Sequence, residues 1–144
     1  MATPLTVRPY QPSDRESIIR LWQRAFPNEP AWNEPSHMID QKAAFQGEWF
    51  FVCTHEEQIV GTVLAGYDGV RGWVHKVCAD PAAQRMGVAS QLMQAAEAAL
   101  ASAGCGKLNL QVRAGNDAAI AFYRSAGYAV EDRVSMGKHL KPAR

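Results

Sequence analysis

Residues 73–102, WVHKVCADPAAQRMGVASQLMQAAEAALAS, decide the fold. Trp73 to Ala79 is a mostly apolar run of strand length, and Pro81 blocks its continuation. Gln84 to Ser90 is a glycine-containing turn. From Val88 the period becomes helical: Val88, Leu92, Ala95, Ala96 and Ala99 line one face of a helix reaching about Ser102. Gly104 and Gly106 stop it. Leu108 to Val112 then reads as a strand ended by Ala114-Gly115, which completes a β-α-β unit.

Upstream, Trp49 to Cys53 is a short apolar run, His55-Glu56-Glu57-Gln58 a polar turn, and Ile59 to Tyr67 a second strand, together a hairpin. Asp68-Gly69 is a tight-turn signal before Trp73. Leu5 to Arg8 alternates as a short strand. Ser13-Asp14-Arg15-Glu16 has the form of a capping box, and Ile18, Ile19, Trp22, Ala25 and Phe26 follow at helical spacing until Pro27. Residues 27–35, PNEPAWNEP, form a proline-rich loop, and Ser36 to Gln46 reads as a second short helix. Downstream, Asn116 is a good N-cap for a helix running to Ala126, with Gly127 just past its end. Tyr128 to Glu131 and Arg133 to His139 read as two final strands. The expected order is β-α-α-β-β-β-α-β-α-β-β. That order implies a mixed α/β fold: one mixed central sheet with helices on both faces, in a single domain over residues 1–144.

Bulk composition narrows the function. Apolar residues make up 47% and charged residues 20% of 144 residues, ordinary for a globular chain. Fifteen basic against fourteen acidic residues leave a net charge of +1, without the basic stripe of a nucleic-acid binder. The three cysteines, Cys53, Cys78 and Cys105, match no metal or disulfide framework and suit a reducing compartment. The four histidines lack ligand spacing, so no metal site is expected. Met1 to Pro9 carries no apolar signal core and no stretch has membrane-spanning length, so a cytoplasmic protein without a membrane partner is expected.

The turn Gln84-Arg85-Met86-Gly87-Val88-Ala89 carries the chemistry. A strand-to-helix junction aims several backbone N–H groups at one point, at the positive end of the helix. Gly87 and Ala89 let a ligand approach the main chain, which suits a pyrophosphate. The turn is neither a dinucleotide fingerprint nor a P-loop, lacking a third glycine and a Gly-Lys-Ser/Thr. Downstream, Asn116 and Tyr123 lie two helical turns apart, on one face and about 10 Å from each other.

With Gln84, Gly87 and Ala89 matching its signature, the chain resembles the GNAT family of N-acetyltransferases. The likeness is sharpest from Val77 to Tyr128. Residues 111–123, QVRAGNDAAIAFY, resemble the branch that acetylates ribosomal-protein N-termini, and the whole chain resembles a small bacterial branch of YpeA-like proteins. The resemblance implies acetyl-CoA as co-substrate and transfer of its acetyl group to a primary amine of a small molecule or a peptide N-terminus. It gives the backbone of Val77, Cys78 and Ala79 to the pantetheine arm, with one amide of this strand stabilising the oxyanion. It gives the N–H groups of Arg85, Met86, Gly87, Val88, Ala89 and Ser90 to the pyrophosphate, and Asn116 to the cofactor arm. It makes Tyr123 the catalytic residue, beside the sulfur. A homodimer is compatible with the resemblance, which does not decide it.

One position departs. Gln111 stands where the ribosomal branch has a glutamate as general base, and an amide cannot take a proton. His75, Glu34 and Asp80 are the candidate replacements. An α-amine, with a pKa near 8, is about one-tenth neutral at pH 7, whereas a lysine at about 10.4 is almost wholly charged. A site without a strong base therefore suits an α-amine. Gln111 also leaves open a rival reading, an acyl-CoA-binding sensor without turnover. A Cys78–His75 nucleophile pair is set aside, because three residues apart on a strand they would face opposite ways. Trp32 is either a hydrophobic staple or a wall of the acceptor pocket.

Overall fold

The computed structural model describes residues 4–141. Two compact units divide the chain, Met1–Leu110 and Gln111–Arg144. The first contains β1 (Thr6–Pro9), α1 (Arg15–Ala25), α2 (Pro35–Ala44), β2 (Phe50–His55), β3 (Gln58–Tyr67), β4 (Gly72–Ala79), α3 (Val88–Ser102) and β5 (Leu108–Asn109). The second contains α4 (Asp117–Ser125). In the first unit the strands form one sheet in the order β1-β2-β3-β4-β5. The first four are antiparallel and β5 joins β4 in parallel, so the sheet is mixed as expected.

Helices cover both faces of that sheet. Ile18, Leu21 and Trp22 of α1 and Ile39 of α2 pack with Phe50, Val52, Leu64 and Cys78, all nearly or fully buried. Burial of each such large side chain contributes roughly 1.5–3 kcal/mol. On the opposite face α3 lies so close to β3 that a Cβ on Gly61 would meet Val88 Cγ1 at 2.4 Å and Cys78 O at 2.6 Å. Glycine is required there by space alone. The polar β2–β3 turn is made by Glu56 and Glu57 with φ of 51° and 65°, the left-handed pair of a primed hairpin turn.

Three expectations fail. The capping box at Ser13 and Glu16 does not form: a single 3-10 turn over Pro12–Asp14 precedes α1. Asp14 serves that junction, accepting from Gln11 N–H at 2.8 Å and pairing with Arg8 at 2.8 Å. The strand expected over Leu108 to Val112 is only Leu108–Asn109, because β4 offers it only Gly72 and Trp73 as partners. Finally, neither Tyr128–Glu131 nor Arg133–His139 is a strand. Their apolar residues Val130, Val134 and Met136 are 68%, 88% and 91% exposed. Alternation specifies a strand only where a neighbour completes the ladder, and among the described residues none does.

Candidate active site

The sheet is irregular where chemistry was expected. Leu64 pairs with His75 and Thr62 with Cys78, so two steps along β3 oppose three along β4. The extra residue is a β-bulge, and Lys76 carries it with φ of 52°, a left-handed conformation uncommon for a side-chain-bearing residue. Three groups hold it. Trp22 Nε1 donates to Thr62 Oγ1 at 2.9 Å, and Thr62 Oγ1 donates to the Lys76 carbonyl at 2.8 Å. Lys76 Nζ pairs with Glu29 at 2.6 Å and lies 4.2 Å from the Phe26 ring centroid.

The bulge overturns one exclusion. Thr62 and Leu64 share a face of β3, so their partners Cys78 and His75 also share a face. They do not point apart as spacing alone predicts. Cys78 remains a poor nucleophile for another reason: burial pushes its thiol pKa up, and its sulfur sits 3.4 Å from Thr62 Oγ1 in the core.

Beyond Trp73, β4 keeps β3 on one side, and no strand among the described residues pairs with its other edge. Along Val77, Cys78 and Ala79, the alternate backbone groups that face away from β3 therefore have no strand partner among the described residues. Beyond Ala79 comes the turn into α3. Arg85 and Gly87 both have positive φ, 69° and 84°, an arrangement that turns successive N–H groups inward as an anion nest. No side chain caps α3, and its first turn holds no acidic residue. By contrast, Glu34 caps α2 and Asn116 caps α4. Val88 is buried against the sheet, while Arg85, Met86, Gly87 and Ser90 are exposed, leaving the helix start accessible.

The three candidate bases separate. Glu34 accepts from Ser36 Oγ and from the N–H groups of Ser36 and His37, and those hydrogen bonds lower its pKa. Asp80 accepts from Ala82 N–H and pairs with Arg24 at 2.7 Å, which lowers its pKa also. Both carboxylates are weakened as bases. His75 opens onto a concave cavity of about 510 Å³ between α2 and the β3–β4 hairpin. The cavity walls thin the water around the ring, and this desolvation lowers its pKa, with Lys42 and Lys76 pushing the same way. The lowered pKa favours the neutral imidazole, the form able to accept a proton. A second cavity of about 300 Å³ is lined by Phe26, Glu29, Pro35 and Lys76. Trp32, 51% exposed, lines neither.

In the second unit, Asn116 Oδ1 accepts from Ala119 N–H at 3.2 Å, leaving Nδ2 as a donor. The Tyr123 ring meets Phe122 and Tyr128 edge-on, at 5.0 and 5.8 Å between centroids. No residue of α4 is fully buried; Phe122 and Tyr123 are half-buried. Gln111 Nε2 donates to Ser135 Oγ.

The pattern of the acetyltransferase (GNAT) family matches residues 15–128. The chain belongs to the GNAT acetyltransferase family. A curated acetyltransferase of Yersinia enterocolitica is 37% identical to it over 94% of this chain and 96% of its own length. Among solved structures, the ribosomal-protein-S18-alanine N-acetyltransferase of Escherichia coli is 25% identical, covering 86% of this chain and 77% of its own, with a TM-score of 0.73. An aminoglycoside N-acetyltransferase AAC(6')-Iy in complex with CoA shares the fold, with a TM-score of 0.77 over 98% of both chains at 16% identity. The mixed α/β sheet is thus the GNAT fold, and the protein is an N-acetyltransferase.

The sequence reading of this acetyltransferase missed the bulge, the Glu29–Lys76 pair and both cavities. One signal was present. His75 and Lys76 are adjacent polar residues inside an otherwise apolar strand, a break in alternation that a bulge explains. Among the described residues no cluster of three or more His, Cys, Asp or Glu could hold a metal, and no helix is long and apolar enough to cross a membrane.

Proposed function

We propose that this acetyltransferase transfers acetyl from acetyl-CoA to a primary α-amine by direct attack in a ternary complex, within a single functional domain spanning residues 1–144. The observation that carries the reading is the pairing of an open β4 edge with an uncapped α3 start. The backbone of Val77, Cys78 and Ala79 receives the pantetheine arm as a missing strand would. The N–H groups of Arg85 to Ser90 hold the pyrophosphate. Asn116 contacts the cofactor arm through its remaining donor. The amine nitrogen attacks the thioester carbonyl, a C–N bond forms, and a bulge-side amide of β4 stabilises the oxyanion. The C–S bond then breaks, the thiolate leaves with a hydrogen bond from Tyr123, and the proton lost by nitrogen goes to His75.

Calorimetric titration with acetyl-CoA, with NAD and ATP as controls, tests the cradle. Gly87→Glu has room for its Cβ but places an anion and a strained side chain at φ of 84°. It is expected to abolish binding seen in the wild type. No binding of acetyl-CoA to the wild type at millimolar concentration would overturn the reading. An amine screen then separates turnover from the sensor function that Gln111 allows.

The role of His75 predicts a pH profile. Its pKa is lowered, so it still accepts protons below pH 6.5 and loses that capacity only as it becomes charged in more acid solution. The wild type is expected to show its acid limb in kcat/KM below pH 6.5, because His75 takes the ammonium proton; in His75→Gln, without that base, the limb moves up to the amine's own near pH 8. At pH 7 the rate falls about tenfold, since roughly a tenth of an α-amine is already neutral. The deficit shrinks by pH 8.5. Superimposable profiles for the two proteins would remove His75 as the base.

A further inference from the structure

The cavity between α2 and the β3–β4 hairpin has a chemistry of its own. Its walls are Met38, Phe45, Leu64, Tyr67 and Trp73, and its volume of about 510 Å³ lies in the range of small-ligand sites. Phe45 is 66% exposed, a large apolar side chain kept at the rim rather than in the core. The floor is Gly66, where an added Cβ would meet Lys42 Nζ at 3.9 Å and, more tightly, Gln46 Oε1 at 3.2 Å, an oxygen that accepts from Tyr67 N–H at 2.9 Å. His75 also lines this cavity, and it immediately precedes the bulge residue Lys76. A group filling the cavity therefore ends beside the irregular part of β4.

The other cavity near the bulge does not offer this. There Glu29 and Lys76 already neutralise each other at 2.6 Å, with side chains only 18% and 8% exposed. Of the two cavities, the one between α2 and the β3–β4 hairpin is the more apolar. We propose that the acceptor is a primary amine whose neighbouring carbon bears a large apolar, preferably aromatic, group. That group fills the cavity between α2 and the β3–β4 hairpin and presents the amine at His75. This rests on the acetyl-transfer reading above. Either a free aralkyl amine or the first residue of a peptide supplies the chemistry.

Two measurements keep the inference separate from that reading. The first is binding without acetyl-CoA, followed by tryptophan fluorescence or ligand NMR. The second is kcat/KM with acetyl-CoA. Phenylalanine amide is compared with glycine amide, and Phe-Gly-Gly with Gly-Gly-Gly, so the two pairs distinguish free amine from peptide. The aromatic member of a pair is expected to bind and react about 10- to 100-fold better. Gly66→Val projects a branched side chain into the cavity, with the Gln46 amide giving by a few tenths of an ångström to admit its Cβ. It is expected to reduce that preference to about threefold, while acetyl-CoA affinity and Tm show that the fold persists. Saturable binding of phenylalanine amide that Gly66→Val abolishes, without any acetylation, supports the site and overturns the transfer reading. Acetylation of both members at equal rates, or a preference untouched by Gly66→Val, overturns the site and leaves the transfer reading standing. Absence of binding by any aromatic probe also overturns the site.

Discussion

Replacing Tyr123 by Phe is expected to lower kcat about 10- to 100-fold and to leave acetyl-CoA affinity within about twofold. The magnitude follows from what the hydroxyl can do. A thiol has an ordinary pKa of about 8.5 and a tyrosine about 10, so full proton transfer to the leaving thiolate is uphill by roughly 2 kcal/mol. A hydrogen bond to an anion contributes about 1.5–3 kcal/mol, which converts to the stated factor. The bond strengthens as charge develops on sulfur, so it acts on turnover and not on binding of the thioester. The variant retains its ring, hence the edge-on contacts with Phe122 and Tyr128, and α4 loses no packing. Single-turnover measurement of thiol release, beside a calorimetric acetyl-CoA titration, checks both halves. An unchanged rate of thiol release removes Tyr123 from the mechanism.

Elements whose periodicity and terminators agree were legible in the sequence. Helix α3 runs Val88–Ser102 as its apolar face and the following glycines require. The β2–β3–β4 meander follows from three apolar runs separated by polar turns. What stayed illegible depends on how the chain turns and on partners that the residue order does not show. Whether Glu34 is a base or a cap is decided by the N–H groups of Ser36 and His37 after the chain has turned into α2. Whether residues 133–139 form a strand is decided by a neighbour, not by their alternation. The facing of His75 relative to Cys78 is decided by one inserted residue, and period-two counting across a bulge reverses its answer. The turn at Gln84–Ser90 and the helix start within it were legible because their requirement is local: a proline, a glycine and the onset of a helical period.

The bulge makes its own demand, tested at Lys76. Lys76→Met is expected to destabilise the protein by roughly 3–5 kcal/mol, the cost of removing one partner from a buried ion pair. For a chain of this size that corresponds to a fall in Tm of about 10 °C or more. Glu29 would keep the Asn33 Nδ2 hydrogen bond at 2.8 Å but lose its counter-ion in a pocket where its side chain is 18% exposed. Met preserves the apolar stem against Trp22 and Phe26, so lost packing does not account for the loss. The double variant Lys76→Met, Glu29→Gln separates the causes. A neutral amide still accepts from Asn33 and leaves no unpaired charge, so most of the lost stability is expected to return. If the double variant instead melts as low as the single one, the bulge depends on the Lys76 ammonium itself, held over the Phe26 ring at 4.2 Å. If Lys76→Met melts within about 1 kcal/mol of wild type, the pair is solvated in solution and the left-handed backbone at 76 is held by Thr62 and Trp22 alone.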